Sequence, residues 1–168
     1  MKKTFLLIAL AAGLLLFAGE YANGHRHTTP GMSAPALELR EADSTVAHER
    51  LHGDYVLLCF WSTLDAVSRR DANLYTAWSR SHPDAPLKVV GVNFDDSQGL
   101  FREIVRRDSL EADMQFHVSG DTAAVVARNY GLEEGYGSAL VAPDGKIVAI
   151  NPPVDHLDAL LPSTTRGC

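Results

Sequence analysis

Sulfur is scarce in this chain: its 168 residues include two cysteines, Cys59 and Cys168. The pair is no obvious bridge. Cys59 stands inside Val56-Leu57-Leu58-Cys59-Phe60-Trp61, a run that reads as a buried strand, where cysteine behaves as a small hydrophobe. Cys168 is the last residue given and sits on a terminal tail, open to an intermolecular disulfide with a second copy or another protein. Basic runs are missing as well. Arg69-Arg70 and Arg106-Arg107 are isolated pairs that read as solvated helix surface, and the net charge is −6. A mildly acidic chain excludes nucleic acid as a partner, because phosphate binding needs a basic face. No nucleophile–His–acid constellation and no phosphate-cradling glycine loop is present. The histidines His48, His52, His82, His117 and His156 follow no ligand spacing, and His25 and His27 on a polar segment make a weak site. Neither a metal nor a cofactor is expected.

Long hydrophobic runs are limited to one, Phe5 to Ala18, preceded by Lys2 and Lys3. It falls short of the roughly 20 residues that span a bilayer and reads as a secretory leader. Ala22-Asn23-Gly24 fits the small-x-small cleavage pattern. No cysteine follows the run, so a lipid anchor there is not supported. The expected layout is a leader over 1–24, a linker over 25–33, one domain over 34–162 and a flexible tail over 163–168. The protein is expected outside the cytoplasm, in the periplasm or cell envelope, tethered to the membrane if the leader stays attached. Apolar residues at 46% and charged residues at 21% suit one soluble domain with a real core.

What is there alternates between strand and helix signals. Ala36-Leu37-Glu38-Leu39-Arg40 has the period of a half-buried strand. Tyr55 to Trp61 and Leu87 to Phe94 are apolar runs of strand length, buried on both faces. Between them, Val67, Leu74, Ala77 and Trp78 define the apolar face of a helix from Asp65 to about Ser81. Asp95-Asp96-Ser97 leads into a helix over about 98–107. Met114 to Val118 is extended, and Asp121 is placed to cap a helix that Gly131 stops. Ser138 to Val141 and Ile147 to Ile150 flank Pro143-Asp144-Gly145-Lys146 as a hairpin. Asp155 to Leu161 closes the chain as a short helix. The sum is an α/β domain, a central mixed sheet with helices on both faces and a C-terminal β-hairpin.

This order resembles the thioredoxin fold, and more narrowly the exported TlpA-type thiol–disulfide oxidoreductases and their redoxin relatives. Gly31 to Leu39 is similar to that family's entry strand and Tyr55 to Thr63 to its strand leading into the active site. Val89 to Asp95 is similar to its next core strand; Tyr130-Gly131-Leu132 and Ala139 to Val148 are similar to its closing half. In that family Phe-Trp-x-Thr-x precedes Cys-x-x-Cys at a helix start. Here the corresponding residues are Asp65-Ala66-Val67-Ser68. The family's cis-proline loop corresponds to Gly135-Tyr136-Gly137-Ser138, with Gly137 at the proline's place.

Disulfide exchange needs a thiolate to attack and a second thiol to resolve the mixed disulfide. Asp65 keeps a negative charge at a helix N-terminus and is a good cap, but it forms no disulfide, and Ser68 resolves none. No catalytic residue is expected; the alternative nucleophile is Cys59. Asp95 and Asp96 read as helix caps. Trp61 and Trp78 read as core or groove-edge aromatics. The resemblance implies a peptide groove lined by Trp61, Thr63, Asp65, Tyr136 and Gly137, with a loop loosened by the missing proline. The first reading is a non-catalytic module binding a peptide or protein of the cell envelope. The second is a residual thiol–disulfide oxidoreductase using Cys59.

Overall fold

In this computed structural model the described residues are 28–37, 39–41, 44–46 and 53–162. The expected leader, His25, His27, His48, His52 and the expected tail with Cys168 lie outside them.

The two apolar runs become the centre of a five-stranded sheet. Strand β3 (Tyr55–Trp61) pairs in parallel with β4 (Leu87–Asn93), and β4 pairs in parallel with β5 (Gln115–His117). Parallel neighbours need crossovers. These are α1 (Ala66–Ser81) between β3 and β4, and α2 (Gln98–Arg107) with a short 3-10 turn, Ala112–Met114, between β4 and β5. After α3 (Gly120–Tyr130) the chain returns as β6 (Ser138–Val141) and β7 (Ile147–Ile150), both antiparallel. The strand order is β5-β4-β3-β6-β7. A 3-10 turn, Val154–His156, and α4 (Leu157–Leu160) close the described chain. Strands β1 (Leu39–Glu41) and β2 (Ser44–Val46) form a separate antiparallel pair.

Strand parity sorts the core. Leu57, Cys59 and Trp61 face α1, α2 and α4, packing with Tyr75, Trp78, Phe101 and Leu157. Val56, Leu58 and Phe60 face the other way, packing with Val90, Val92, Val126 and Tyr130. The sheet is thus buried on both sides, as its continuous apolar strands require. Each Leu or Phe fully withdrawn from water contributes about 2 kcal/mol.

Four sequence expectations change. The entry strand is not 36–40: Ser33 bridges Lys146 and regular pairing begins at Leu39. The linker is tied down from Thr28, whose hydroxyl donates to the Tyr130 carbonyl, while Gly31 N donates to Ile147 O and Ala34 N to Gly145 O, both at 2.8 Å. The hairpin edge attracts this segment because it offers backbone groups that need partners. At α3 the N-cap position falls to Ser119, whose side chain makes no capping hydrogen bond, with Asp121 inside the first turn. Lastly, α1 buries Ser68, Ala72, Tyr75, Thr76 and Trp78, whereas Val67 and Leu74 are 59% and 46% exposed and Ala77 is exposed. The polar side chains can be buried because they are satisfied locally: Thr76 Oγ1 donates to Ala72 O and Ser68 Oγ to Asp65 O. Among the described residues no helix is long and apolar enough to cross a membrane.

Candidate functional site

The carboxyl ends of β3 and β4 meet at the start of α1. Asp65 is the helix cap, with extended backbone and Oδ1 accepting from Ser68 N at 2.7 Å. Bonds from the Ser68 amide, then from its hydroxyl, hold the Asp65 carboxyl below its ordinary value. The exposed N–H groups of the first turn and the helix dipole favour an anion here. Ser68 is buried beneath the loop, its Oγ also accepting weakly from Ser62 N at 3.4 Å.

The loop between β3 and α1 hangs on Asp95. Its Oδ1 accepts from Ser62 Oγ and Thr63 N, both at 2.8 Å; its Oδ2 accepts from Asn93 Nδ2 at 3.1 Å and from Thr63 Oγ1. Burial alone raises this carboxyl's pKa, but the donors outweigh it and hold it below the usual carboxylate range. Asp95 is therefore a loop anchor rather than a helix cap; the cap of α2 is Ser97, whose Oγ accepts from Leu100 N. The sequence carried no signal for this anchor, since the loop residues it holds, Ser62 and Thr63, are 33 and 32 residues away from Asp95. Thr63 belongs to the anchor too, with both its amide and its hydroxyl committed to Asp95.

Trp61 does not line a groove. It is 0% exposed, with Nε1 donating to Gln115 Oε1 at 3.2 Å and its ring against Phe101. Parity explains the correction: Trp61 shares the face of Cys59, under α1 and α2. Cys59 is 2% exposed, and burial, with Asp71's charge second, pushes its thiol up to about 12. A thiol so placed is neutral at physiological pH and a poor nucleophile.

Tyr136 and Gly137 come down opposite the start of α1. Tyr136 is half-buried against Phe94, ring centroids 5.4 Å apart. Burial leads in pushing its phenol up, opposed by a Ser62 hydrogen bond and helped by the Asp95, Asp65 and Asp96 charges. The Gly137 segment is not loose. Phe60 N donates to Gly137 O at 2.9 Å, and Ser138 N donates to Asn151 Oδ1 at 2.6 Å. That Asn151 oxygen occupies the space of a residue-137 side chain: a Cβ on Gly137 would lie 2.5 Å from it. Asn151 itself sits at φ 48, one of two non-glycine residues with positive φ among those described.

Between these parts and α1 runs a groove of about 900 Å³. Val67, Leu74 and Trp78 line one wall; Tyr136, Pro153 and Val154 line the other. Cys59 lies at its floor, covered. Among the described residues no group of His, Cys, Asp and Glu is arranged to hold a metal ion. The site therefore brings together Asp65, Ser68, Tyr136 and Gly137, and removes Trp61 from them. Of the missed members, Leu74 was hidden because an exposed apolar residue on a helix reads as part of its core face, and Pro153 because it lies in the segment after β7, which carries no apolar pattern of its own.

The architecture has close counterparts among solved structures. A thioredoxin-like protein from Parabacteroides distasonis is 26% identical, covering 80% of this chain and 95% of that one, with a TM-score of 0.66. The thioredoxin domain of a thiol-disulfide oxidoreductase from Bacteroides vulgatus is 21% identical, covering 80% and 99%, with a TM-score of 0.71. A thiol:disulfide interchange protein from Bacteroides sp. is 21% identical, covering 83% and 95%, with a TM-score of 0.72. No curated protein matches the chain. The sheet order, the helix start facing a pinned Gly137 loop and the counterparts agree on the thioredoxin fold, and residues 30–150, most of the chain, match the AhpC/TSA family, so the chain belongs to that redoxin family.

Proposed function

We propose that this chain is an exported redoxin without thiol–disulfide activity of its own, which holds extended polypeptide of the cell envelope in the groove beside Tyr136 and Gly137. The observation that carries the reading is the composition of the groove head. A carboxylate and a hydroxyl, Asp65 and Ser68, stand at the helix start where resemblance to the oxidoreductases places their two thiols. The one described cysteine lies beneath the groove, neutral and covered. Neither Asp65 nor Ser68 can exchange a disulfide, while the exposed apolar wall of Val67 and Leu74 is the kind of surface that marks a binding site. The basic start and single apolar run of residues 1–24 support export. Cys168, if it joins a partner, does so away from this groove's chemistry.

The test is reduction of a protein disulfide by the purified protein supplied with a dithiol, beside a Cys59→Ser variant. The expected result is no rate above the dithiol background in either. A rate that vanishes in the Cys59→Ser variant would establish the oxidoreductase reading and sink this one. The groove half of the proposal is tested by Leu74→Glu, which is expected to abolish binding of envelope polypeptide while leaving the fold intact.

A further inference from the structure

The groove carries charge as well as apolar walls: Arg70 and Asp71 on one side, Asp155 and Asp158 on the other, with His82 near the latter. Arg70, the cation on the helix wall, is already engaged: its Nε and Nη2 donate to Asp71 Oδ1 at 2.9 and 2.7 Å. On the opposite wall stand Asp155 and Asp158, both exposed. Among the described residues the ion-pair contact of Asp158 is His82 Nε2 at 3.9 Å, which is charged only when the imidazole is protonated. Asp155 enters no ion pair among the described residues. Asp65, the cap of α1, adds its carboxylate at the helix start beside Ser68. An anionic occupant would meet two unneutralised carboxylates, and a purely apolar one would leave them unused.

From this charge complementarity we infer that the groove selects an extended polypeptide segment in which apolar side chains alternate with lysine or arginine. This rests on the groove reading above and adds the class of occupant. In an extended chain successive side chains point to opposite sides. Alternate apolar residues face Val67, Leu74 and Pro153. The residues between them face outward, and the long stem of lysine or arginine lies back over the apolar wall to bring its charge to the rim, at Asp155 and Asp158. Each rim pair is solvent-exposed, so its effect is modest and salt-sensitive; selection comes from attracting the basic sequence and repelling the acidic one.

The experiment uses three dye-labelled peptides of one length, alternating Leu with Lys, Leu with Ser, and Leu with Glu, titrated with the purified protein by fluorescence anisotropy. The expected result is binding in the order Lys, then Ser, then Glu. The Asp155→Asn/Asp158→Asn variant is expected to weaken the Lys peptide about fivefold and leave the Ser peptide unchanged. Leu74→Glu is expected to weaken the Ser peptide strongly. Equal affinity for all three peptides, each lost in Leu74→Glu, would overturn the charge selection and leave the groove reading standing. Lys-peptide binding that ignores both variants would place the basic contact elsewhere and overturn the inference. No binding of any peptide would overturn the groove reading and the inference together.

Discussion

At the scale of single residues, the site is defined by what three side chains exclude. Cys59 excludes itself from chemistry. With the thiol pushed up to about 12, roughly one molecule in ten thousand carries a thiolate at pH 8. A thiol reagent is therefore expected to label Cys59 only after denaturant is added, and stoichiometric labelling of the native protein at this residue would contradict its burial. Asp95 excludes movement of the loop. Asp95→Ala strips partners from Ser62, Thr63 and Asn93 at once and is expected to cost about 3 kcal/mol in urea unfolding. Asn151 excludes a side chain at 137. Gly137→Ala is expected to cost about 1–3 kcal/mol through overpacking, and much less in an Asn151→Gly background, so a double-mutant cycle should show strong coupling. Of these three, sequence reasoning reached Cys59, whose apolar neighbours announce burial. Asp95 and Asn151 act through contacts between distant segments, and nothing in their own surroundings marks them.

At the scale of elements, the strands were legible and the helix faces were less so. Tyr55–Trp61 and Leu87–Asn93 fall where continuous apolar runs put them, because a strand covered on both sides has no polar alternation to confuse. The cap at Asp65 and the turn around Pro143-Asp144-Gly145 were likewise local chemistry. Helix α1 was assigned its correct extent, and of the four residues given to its buried face Trp78 is in the core while Val67, Leu74 and Ala77 are exposed. Its apolar row, Val67 and Leu74, lines the groove, while Ser68 and Thr76 go inward with their hydroxyls bonded to the helix's own carbonyls. Periodicity detects an apolar stripe without saying whether the stripe meets the core or a ligand. The inversion has a measurable signature. Leu74→Gln is expected to change stability by under about 0.5 kcal/mol, as surface substitutions do, whereas Ser68→Ala should cost about 1 kcal/mol for its lost bonds. The opposite order would restore the sequence-based face. A similar core lock joins β4 to β5: a Cβ on Gly91 would fall 1.9 Å from Gln115 Oε1, the partner of Trp61.

At the scale of the whole molecule, the titrating groups bound the pH range of stability from both ends. Asp95 and Asp108 are held below the ordinary 3.8, the latter foremost by Arg69, whose Nε and Nη2 each donate to it at 2.7 Å. Groups with lowered folded values add stability that is full above the ordinary value and lost as the pH falls through the folded one. Cys59 is raised from 9.0, and Tyr75 and Tyr130 are raised from 10.0, each chiefly by burial. Their contribution is full below those ordinary values and is lost as the pH climbs toward the folded ones. The unfolding free energy in urea is expected to be flat between about pH 5 and 8.5 and to decline on either side. In a Cys59→Ala variant the alkaline decline should begin about one pH unit later, where the tyrosines take over. An unchanged alkaline limb would show that the thiol does not set it.

The interlock of Gly137 with Asn151 also has a consequence over evolutionary time. Any side chain introduced at position 137 arrives where the Asn151 oxygen already sits. Changing Asn151 first leaves the Ser138 amide without its acceptor. Both single steps lead downhill in stability, so the two positions must change nearly together. A descendant is therefore expected to keep this loop even while the rest of the groove drifts, because the interlock works as a ratchet.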